Sequence, residues 1–310
     1  METLPGSGTP GARGICVVVV TYRPDLLRLQ ACIDAVRGQV EGLLLFDNAT
    51  AGGEFDRFAN GLRDVVVIRS EANIGLAAAI NRGIEHAREH GFTHVLILDQ
   101  DSIAAEGMVG ELHDALIELG RDAEVAAVGP QFVDTRTGVA APFVRIGFPF
   151  NRKLVGGPGE CVECDFLISS GSLIPLEALA QVGGMDESLF IDNVDLEWSF
   201  RARAAGYRLF GVCDARMGHA IGDAVRPSRW VRGGVFVHGP VRLYYMMRNR
   251  VLLYRRRETR LKWIAQDVPR LFGKLARMSL LVAPRTRNLG AMCRGLRDGL
   301  RGRSGPAPNG

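Results

Sequence analysis

Three apolar runs in this chain stop on polar residues: "ICVVVVTY" (Ile15 to Tyr22), "GLLLFDN" (Gly42 to Asn48) and "THVLILDQD" (Thr93 to Asp101). None alternates apolar with polar, so each must be buried on both faces, as strands are in a parallel sheet covered by helices. The intervening segments agree. "PDLLRLQACIDAV" has Pro24 at its start and apolar residues at helical spacing, and "LAAAINRGIEHAREHG" is an Ala-rich helix closed by Gly91. With "DVVVIRS" as a further strand, the order over about 90 residues is strand, helix, strand, strand, helix, strand. That order predicts an α/β fold, Rossmann-like, with a mostly parallel sheet and helices on both faces.

Ligands of open α/β sheets bind at the carboxyl ends of the strands. Here those ends carry Thr21 and Tyr22, Asp47 and Asn48, and Asp99-Gln100-Asp101. Two carboxylates one residue apart repel each other unless a cation lies between them. Oxygen-only ligands in an open site suit Mg²⁺ or Mn²⁺, which keep positions free for phosphate oxygens. Paired acids are also common in turns, so the motif needs support. "SEANIGLAAAINRGI" supplies an Asn-x-Gly turn leading into a helix, with small residues that allow a ligand near the backbone. "FIDNVDLEW" places Asp192, Asp195 and Glu197 among Phe190, Ile191 and Trp198, a setting able to raise a carboxylate pKa. His219 sits in the Gly-flanked "GHAIGD", where a lone histidine is more often structural.

The net charge of +4 conceals an asymmetry. Residues 241–310 hold 17 Lys+Arg against 3 Asp+Glu, a net +14; the first 240 hold 21 against 31, a net −10. A basic end on an acidic body suggests contact with a polyanion. Within that end, Leu271, Leu275, Met278 and Val282 fall near one helical face, with Trp263 and tyrosines beside the charges. The pattern suits helices on an anionic membrane surface, and equally a helical cap on the catalytic body with a solvated basic side. No nucleic-acid-binding module accompanies the charge, so no nucleic acid is expected. No run reaches the ~20 apolar residues of a spanning helix. Residues 1–14, rich in Gly, Pro and Thr, resemble no secretory signal, and the six scattered cysteines fit a reducing compartment. Cys161 and Cys164 have metal-type spacing but no second pair; zinc and incidental thiols both stay open.

Taken in order, "VVVVTYRP", "LLLFDNAT", "NIGLAAAINRGI", "LILDQDS", "SSGSLIPLEALAQVGGMDESLFIDNVDLEWSFRARAAGY" and "GHAIGD" resemble glycosyltransferase family 2, the GT-A enzymes that use nucleotide-diphosphate sugars. The likeness spans roughly residues 15–222. "DQDS", "FIDNVDLEW" and "GHAIGD" look most like bacterial dTDP-L-rhamnose-dependent rhamnosyltransferases of cell-surface polysaccharide (O-antigen) synthesis. The resemblance implies a GT-A domain over 15–240, with a nucleotide-binding half (15–102) and an acceptor half (103–240). A flexible N-terminus (1–14), a basic helical region (241–300) and a disordered tail (301–310) would flank it. It further implies that Thr21, Tyr22, Asp47 and Asn48 line the base and ribose. Asn73, Gly75 and Asn81 would shape the wall facing nucleotide and sugar. Asp99, Asp101 and His219 would hold Mg²⁺ or Mn²⁺, with Gln100 beside them. Ser170, Gly171, Ser172 and Trp198 would lie near donor or acceptor. The family's base is the Asp of a Glu-Asp pair. Alignment on Arg201 puts Asp195 there, with Val194 where Glu is usual, so Asp195 is the expected base and Glu197 and Asp192 its rivals. "DNAT" ends in Thr where Ser is usual.

The implied activity is inverting, metal-dependent transfer of L-rhamnose from dTDP-L-rhamnose to a saccharide acceptor, often one on a polyprenyl diphosphate. The expected location is the cytoplasmic face of the membrane, peripherally attached. The rival readings are the same enzyme with UDP-glucose, UDP-galactose or UDP-galactofuranose, a sugar-phosphate nucleotidyltransferase, and an inactive membrane-associated scaffold. A nucleotidyltransferase would want a glycine-rich loop with a basic residue after the first strand, where "TYRP" stands.

Overall fold

A computed structural model describes residues 12–134, 140–219, 224–226 and 235–308. In chain order the first half runs β1 (Ala12–Thr21), α1 (Leu26–Arg37), β2 (Val40–Asp47), α2 (Gly53–Gly61), β3 (Val66–Arg69), α3 (Leu76–Glu89), β4 (His94–Asp99), β5 (Ile103–Ala104), α4 (Met108–Leu119) and β6 (Val125–Asp134). The second half has β7 (Phe143–Arg145), β8 (Arg152–Leu154), β9 (Cys161–Cys164), β10 (Leu173–Pro175), α5 (Leu176–Val182), a 3-10 turn (Glu187–Leu189), α6 (Val194–Ala204), β11 (Arg208–His219), β12 (Ala224–Arg226) and β13 (Val235–Val237). Three helices follow: α7 (Pro240–Tyr254), α8 (Leu261–Leu280) and α9 (Arg285–Leu300).

The expected sheet forms. Its order is β3-β2-β1-β4-β10-β6-β11-β5, with β9 on β11. β1, β2, β3 and β4 run parallel, and β10 is inserted antiparallel between β4 and β6. β1 shows why its sequence does not alternate. Ile15, Val17 and Val19 pack under α1 and α4, while Cys16, Val18 and Val20 pack under α3. Each such burial stabilises the fold by ~1.5–3 kcal/mol relative to exposure. Asp25 caps α1, its carboxylate accepting from the Leu27 and Arg28 amides at 3.0 and 3.2 Å. α2 has no counterpart in the sequence reading: "GEFDRFANG" is short, glycine-bounded and anchored mainly by buried Phe55.

The chain steps outward from β1 to β2 to β3, then returns to the other side of β1 as β4. The loops after β1 and β4 therefore part in opposite directions and leave a crevice at the strand ends.

Three expectations need correction or restriction. Cys161 is exposed and Cys164 fully buried at opposite ends of strand β9, and residues three apart in a strand face opposite sides, so the pair cannot share a zinc ion. The tail read as disordered is described through Pro308 and bonded to the body: the Gly305 amide donates to the Ser188 carbonyl at 2.6 Å, and the Ala307 amide to the Tyr245 hydroxyl at 2.7 Å. The N-terminal segment lies outside the described residues up to position 11, whereas Ala12–Gly14 already belong to β1.

The basic helices form a layer with their own small core. Leu271, Met278 and Val282, with partly buried Leu275, pack against Leu243, Met247 and Met292. The apolar stripe that suited a membrane surface is thus turned inward. α9 lies close on α7 because a Cβ at Gly295 would come within 2.3 Å of the Tyr244 carbonyl oxygen. Among the described residues, no helix is long and apolar enough to cross a membrane.

Candidate active site

The crevice is an open cleft of about 650 Å³, within the size range of small-ligand sites. One wall comes from the strand ends: Thr21, Tyr22, Asn48, Asn73, Gly75, Asp99, Gln100 and Asp101 all line it. The opposite wall is the loop from Phe190 to Asp195, with Arg242 of α7 beside it.

The strand-end wall is held by local bonds. The Tyr22 amide donates to Gln100 Oε1 at 2.9 Å, tying the end of β1 to the turn between the two aspartates. Asn48 receives the Ile74 amide at 2.8 Å and donates to the Gly75 carbonyl at 3.2 Å; Asn73 receives the Gly75 amide at 3.0 Å. The Asp99 amide donates to the Ser170 hydroxyl at 2.9 Å, which pairs with the Ser102 hydroxyl at 2.8 Å.

Gly75 has φ +88°, and a Cβ there would stand 2.6 Å from the Phe190 ring and 2.7 Å from its carbonyl. That carbonyl accepts the Leu76 amide at 2.7 Å and the Ala77 amide at 3.3 Å. The close approach permitted by "NIG" is therefore made by Phe190, and the first amides of α3 serve the protein's own loop.

That loop is held in an uncommon conformation. Phe190, Asp192 and Asn193 all have positive φ (66°, 64° and 63°), each costing ~1 kcal/mol or more unless the surroundings impose it. α7 imposes it. Asn249, fully buried, donates to the carbonyls of Leu189, Ile191 and Asp192 at 3.0, 2.7 and 2.8 Å. Arg248, also fully buried, donates to the Leu189 carbonyl at 2.9 Å and to Gly305, and lies over the Tyr245 ring at 4.8 Å. Tyr245 in turn stacks on Phe190 at 5.2 Å. A buried guanidinium here is compensated by carbonyl oxygens and aromatic faces rather than by a carboxylate.

The loop presents two acids. Asp195, in the first turn of α6, accepts its neighbour Leu196's amide at 2.8 Å. Burial pushes its pKa up to about 6; the Leu196 amide opposes this, and the charges of Asp192 and Asp99 add to it. Asp192 is raised by burial and drawn back by Arg242, whose Nε lies 3.1 Å from Oδ1. Its Oδ2 is buried without a hydrogen-bond partner.

Other expected residues lie elsewhere. Asp47 is completely buried beneath the cleft, where it accepts from the Thr21 hydroxyl at 3.1 Å and the Thr50 amide at 3.0 Å, 3.4 Å from Arg69. Asn81 points away, clasping the Met185 backbone at 2.7 and 2.9 Å and donating to Glu187 at 2.8 Å. Glu197 does not line the cleft: its buried carboxylate pairs with Arg201 at 2.8 and 2.9 Å and with Arg256 at 2.7 Å. Trp198 is core, donating to the Gly183 carbonyl at 2.9 Å. Ser170 borders the cleft, but Gly171 and Ser172 stand behind it, the Ser172 hydroxyl donating to the Ile168 carbonyl at 2.6 Å. His219 closes β11, and its side chain, like residues 220–223, lies outside the described residues.

The sequence reading missed Ile168, Ser169, Asn193 and Arg242 in the lining, and Arg248 and Asn249 behind it. For the last two a signal existed. They fall one helical turn after the buried Tyr244 and Tyr245, a polar pair on an inward face. For Arg242, nearly 50 residues from Asp195, there was none.

The model of glycosyl transferase family 2 matches residues 16–170. The chain is 31% identical to the dTDP-rhamnosyl transferase RfbF of Shigella flexneri over 296 residues, 94% of this chain and 97% of that protein. Among solved structures, GalNAc-T7 with UDP, GalNAc and Mn²⁺ matches with a TM-score of 0.55 at 15% identity, over 93% of this chain and 56% of that one. Residues 1–349 of S. aureus TarS in complex with UDP-GlcNAc match with a TM-score of 0.52 at 13% identity, over 93% and 92%. The chain thus spans little more than half the length of GalNAc-T7, and these two likenesses bear on the fold.

Proposed function

Because the chain belongs to glycosyltransferase family 2, we propose that it transfers L-rhamnose from dTDP-L-rhamnose to the hydroxyl of a saccharide acceptor, inverting the anomeric centre. The observation that carries this is one cleft with Asp99 and Asp101 on the strand-end wall and Asp195 on the facing loop. Full-length likeness to a dTDP-rhamnosyl transferase supports the choice of donor.

Asp99 and Asp101 offer only carboxylate oxygens, border open space and have no third described His, Cys, Asp or Glu close enough to complete a cage. That donor set fits a hard divalent cation, Mg²⁺ or Mn²⁺, with positions left for phosphate oxygens. When bound, the ion would offset the charge that develops on the departing dTDP. Asp195 is the general base. It takes the proton of the acceptor hydroxyl as that oxygen attacks the anomeric carbon opposite the leaving diphosphate, in one displacement through an oxocarbenium-like state. Its raised pKa suits the task, because a base titrating near neutrality holds the proton better than an ordinary aspartate. Tyr22 and Asn48 border the nucleotide, with Thr21 and Asp47 fixing the turns beneath it.

The place of reaction in this reading is the cytoplasmic membrane face, in assembly of a surface polysaccharide such as O-antigen on a lipid-linked acceptor. With the α8 stripe buried, contact would fall to exposed Phe272, Leu280 and Leu281 among the basic side chains. Phe272→Glu with Leu281→Glu should release the protein from phosphatidylglycerol vesicles in a flotation assay; undiminished binding would remove those residues from the role.

The test of function is donor hydrolysis across a panel of nucleotide sugars with Mg²⁺ or Mn²⁺. Release of dTDP from dTDP-L-rhamnose, reduced about a thousandfold by Asp101→Ala, is the expected result. Release from UDP-sugars instead would discard the rhamnosyl assignment and retain the site.

A further inference from the structure

The segment from Arg303 to Pro308 is one arginine, one serine, one glycine, one alanine and two prolines, with too little apolar surface to fold by itself. It is nevertheless anchored at every second residue. The Arg303 amide donates to the Asp298 carbonyl at 2.9 Å, and its guanidinium lies 3.5 Å from the Asp298 carboxylate, which also accepts the Tyr244 hydroxyl at 3.1 Å. Gly305, at φ +77°, donates its amide to the Ser188 carbonyl at 2.6 Å and accepts from the Arg248 guanidinium. The Ala307 amide donates to the Tyr245 hydroxyl at 2.7 Å, and Ala307 packs with Phe190 and Ile191 on the cluster of Tyr244, Tyr245 and Ala291. The residues between these anchors are exposed, and none of the segment lines the cleft.

The anchors at Gly305 and Ala307 end on residues that shape the catalytic loop. Positive φ at Phe190 ends the 3-10 turn, so the carbonyls of Ser188 and Leu189 have no further helical turn to accept from. Leu189 is served by Arg248 and Asn249. Ser188 is served by the Gly305 amide, with Arg248 more distant at 3.4 Å. The buried Arg248 in turn depends on neutral acceptors, Asn249 Oδ1 and backbone carbonyls, of which Gly305 supplies one. Losing that carbonyl would leave a desolvated charged donor unpaired, a heavier loss than that of an exposed bond. Tyr245 links the Ala307 amide to the Phe190 ring, on which it stacks. We propose that Gly305 and Ala307 are positioning residues of the transfer reaction. Docked, their segment clamps the turn before Phe190 and keeps Asp192 and Asp195 at the cleft. Released, it lets the loop leave its positive-φ conformation, and the acceptor step fails while nucleotide binding persists. Held by a few bonds on an exposed strip, the clamp opens at lower free energy than the sheet. Its catalytic consequence rests on the transferase reading; its hold on the loop does not.

Hydrogen exchange of the full chain tests it. Ala307→Pro keeps an apolar side chain and removes the donor to Tyr245, while Gly305→Pro removes the donor to Ser188 and cannot take φ +77°. Each should speed exchange of the Leu189, Phe190 and Ile191 amides, all hydrogen-bonded within the loop, by about fivefold or more. The amides of β1 and β4 should exchange as in wild type. Tyr245→Phe should match Ala307→Pro, and the double variant should add little to either, because both remove the same bond. Arg301→Ala, exposed at the end of α9, should change exchange by less than about twofold. In hydrolysis of dTDP-L-rhamnose with Mg²⁺, both proline variants should lower kcat about tenfold and leave dTDP affinity within about twofold. Thermal melts confirm folding, and two variants guard against loss of one. Unchanged exchange at Leu189 to Ile191 in both variants overturns the clamp. Equal acceleration in β1 and β4 also overturns it, making the segment a general stabiliser. A faster-exchanging loop with unaltered kcat overturns the positioning role. Failure of wild type to bind dTDP with Mg²⁺ undoes the transferase reading, and with it the catalytic consequence, while the exchange result still decides the clamp.

Discussion

The two walls of the cleft are built by different physics. The strand-end wall stands on a sheet whose core residues are almost fully excluded from water, and its polar groups are placed by neighbours at the ends of adjacent strands. The loop wall carries three residues with positive φ and keeps its shape through α7, 57 to 60 residues further along the chain. The first wall is set by local geometry on a rigid platform. The second is a strained segment held from outside, the state expected of a catalytic loop whose side chains must point into a cleft.

Asp195→Asn probes the loop wall with the largest expected effect, a kcat lower by about a thousandfold with the donor KM little changed. The same substitution should alter stability in the opposite sense. The folded protein holds the Asp195 proton up to about pH 6, whereas an unfolded aspartate releases it near 4. Between these values the folded state binds more protons, so this group's contribution to stability falls as pH rises through the window. Asn removes that loss. Melts should then show Asp195→Asn above wild type at pH 8 and level with it at pH 4; the reverse order would deny that the carboxylate is desolvated. A divalent cation beside Asp99 relieves repulsion, so the acid limb of kcat/KM should lie at or below pH 6.

Arg248→Met would sharpen the comparison from behind. It strips the donors from the Leu189 and Gly305 carbonyls and should cost about 3 kcal/mol in denaturant unfolding. The dependence should be asymmetric: acceptor transfer should fall more than dTDP binding, because the strand-end wall does not rest on α7. Equal losses would mean that the two walls are not independent.

Gly75→Ala acts where the walls touch. It must leave φ +88° or displace Phe190, and should cost about 1–3 kcal/mol. The smallest effect should come from Gln100→Ala, which removes the one hydrogen bond between Gln100 and the Tyr22 amide. A loss of about 1 kcal/mol, appearing as weaker dTDP binding in calorimetry, would place it on the nucleotide side alone.

The strand-end wall was legible because each of its strands is a short continuous apolar run and, Asn73 apart, each polar group lies within two residues of a strand end. Asp99, Asp101, Thr21 and Tyr22 are where the pattern puts them. Asp47 and Asn81 show the limit: a polar residue at a strand end or on a helix can face the fold's own backbone as readily as a ligand, and periodicity does not say which. Glu197 and Trp198 fail for a related reason. They lie only two and three residues after Asp195, yet the helix carries their side chains into the body, where Glu197 meets Arg201 and Trp198 the Gly183 carbonyl. The basic helices were read as amphipathic, and they are, but their apolar face meets α7 and α9 rather than lipid.

The amino-acid sequence by itself therefore determined the four parallel strands of the first half, the helices α1 and α3, and the aspartates at the strand ends, because these follow from burial and local periodicity. Tertiary structure alone decided that Asp192 and Asp195 of "IDNVDLEW" border the cleft while Glu197 does not, that Arg242 stands beside them, and that Arg248 and Asn249 hold the loop. Those outcomes depend on contacts between segments distant in sequence, whose energies are set by three-dimensional packing and leave no local pattern to read.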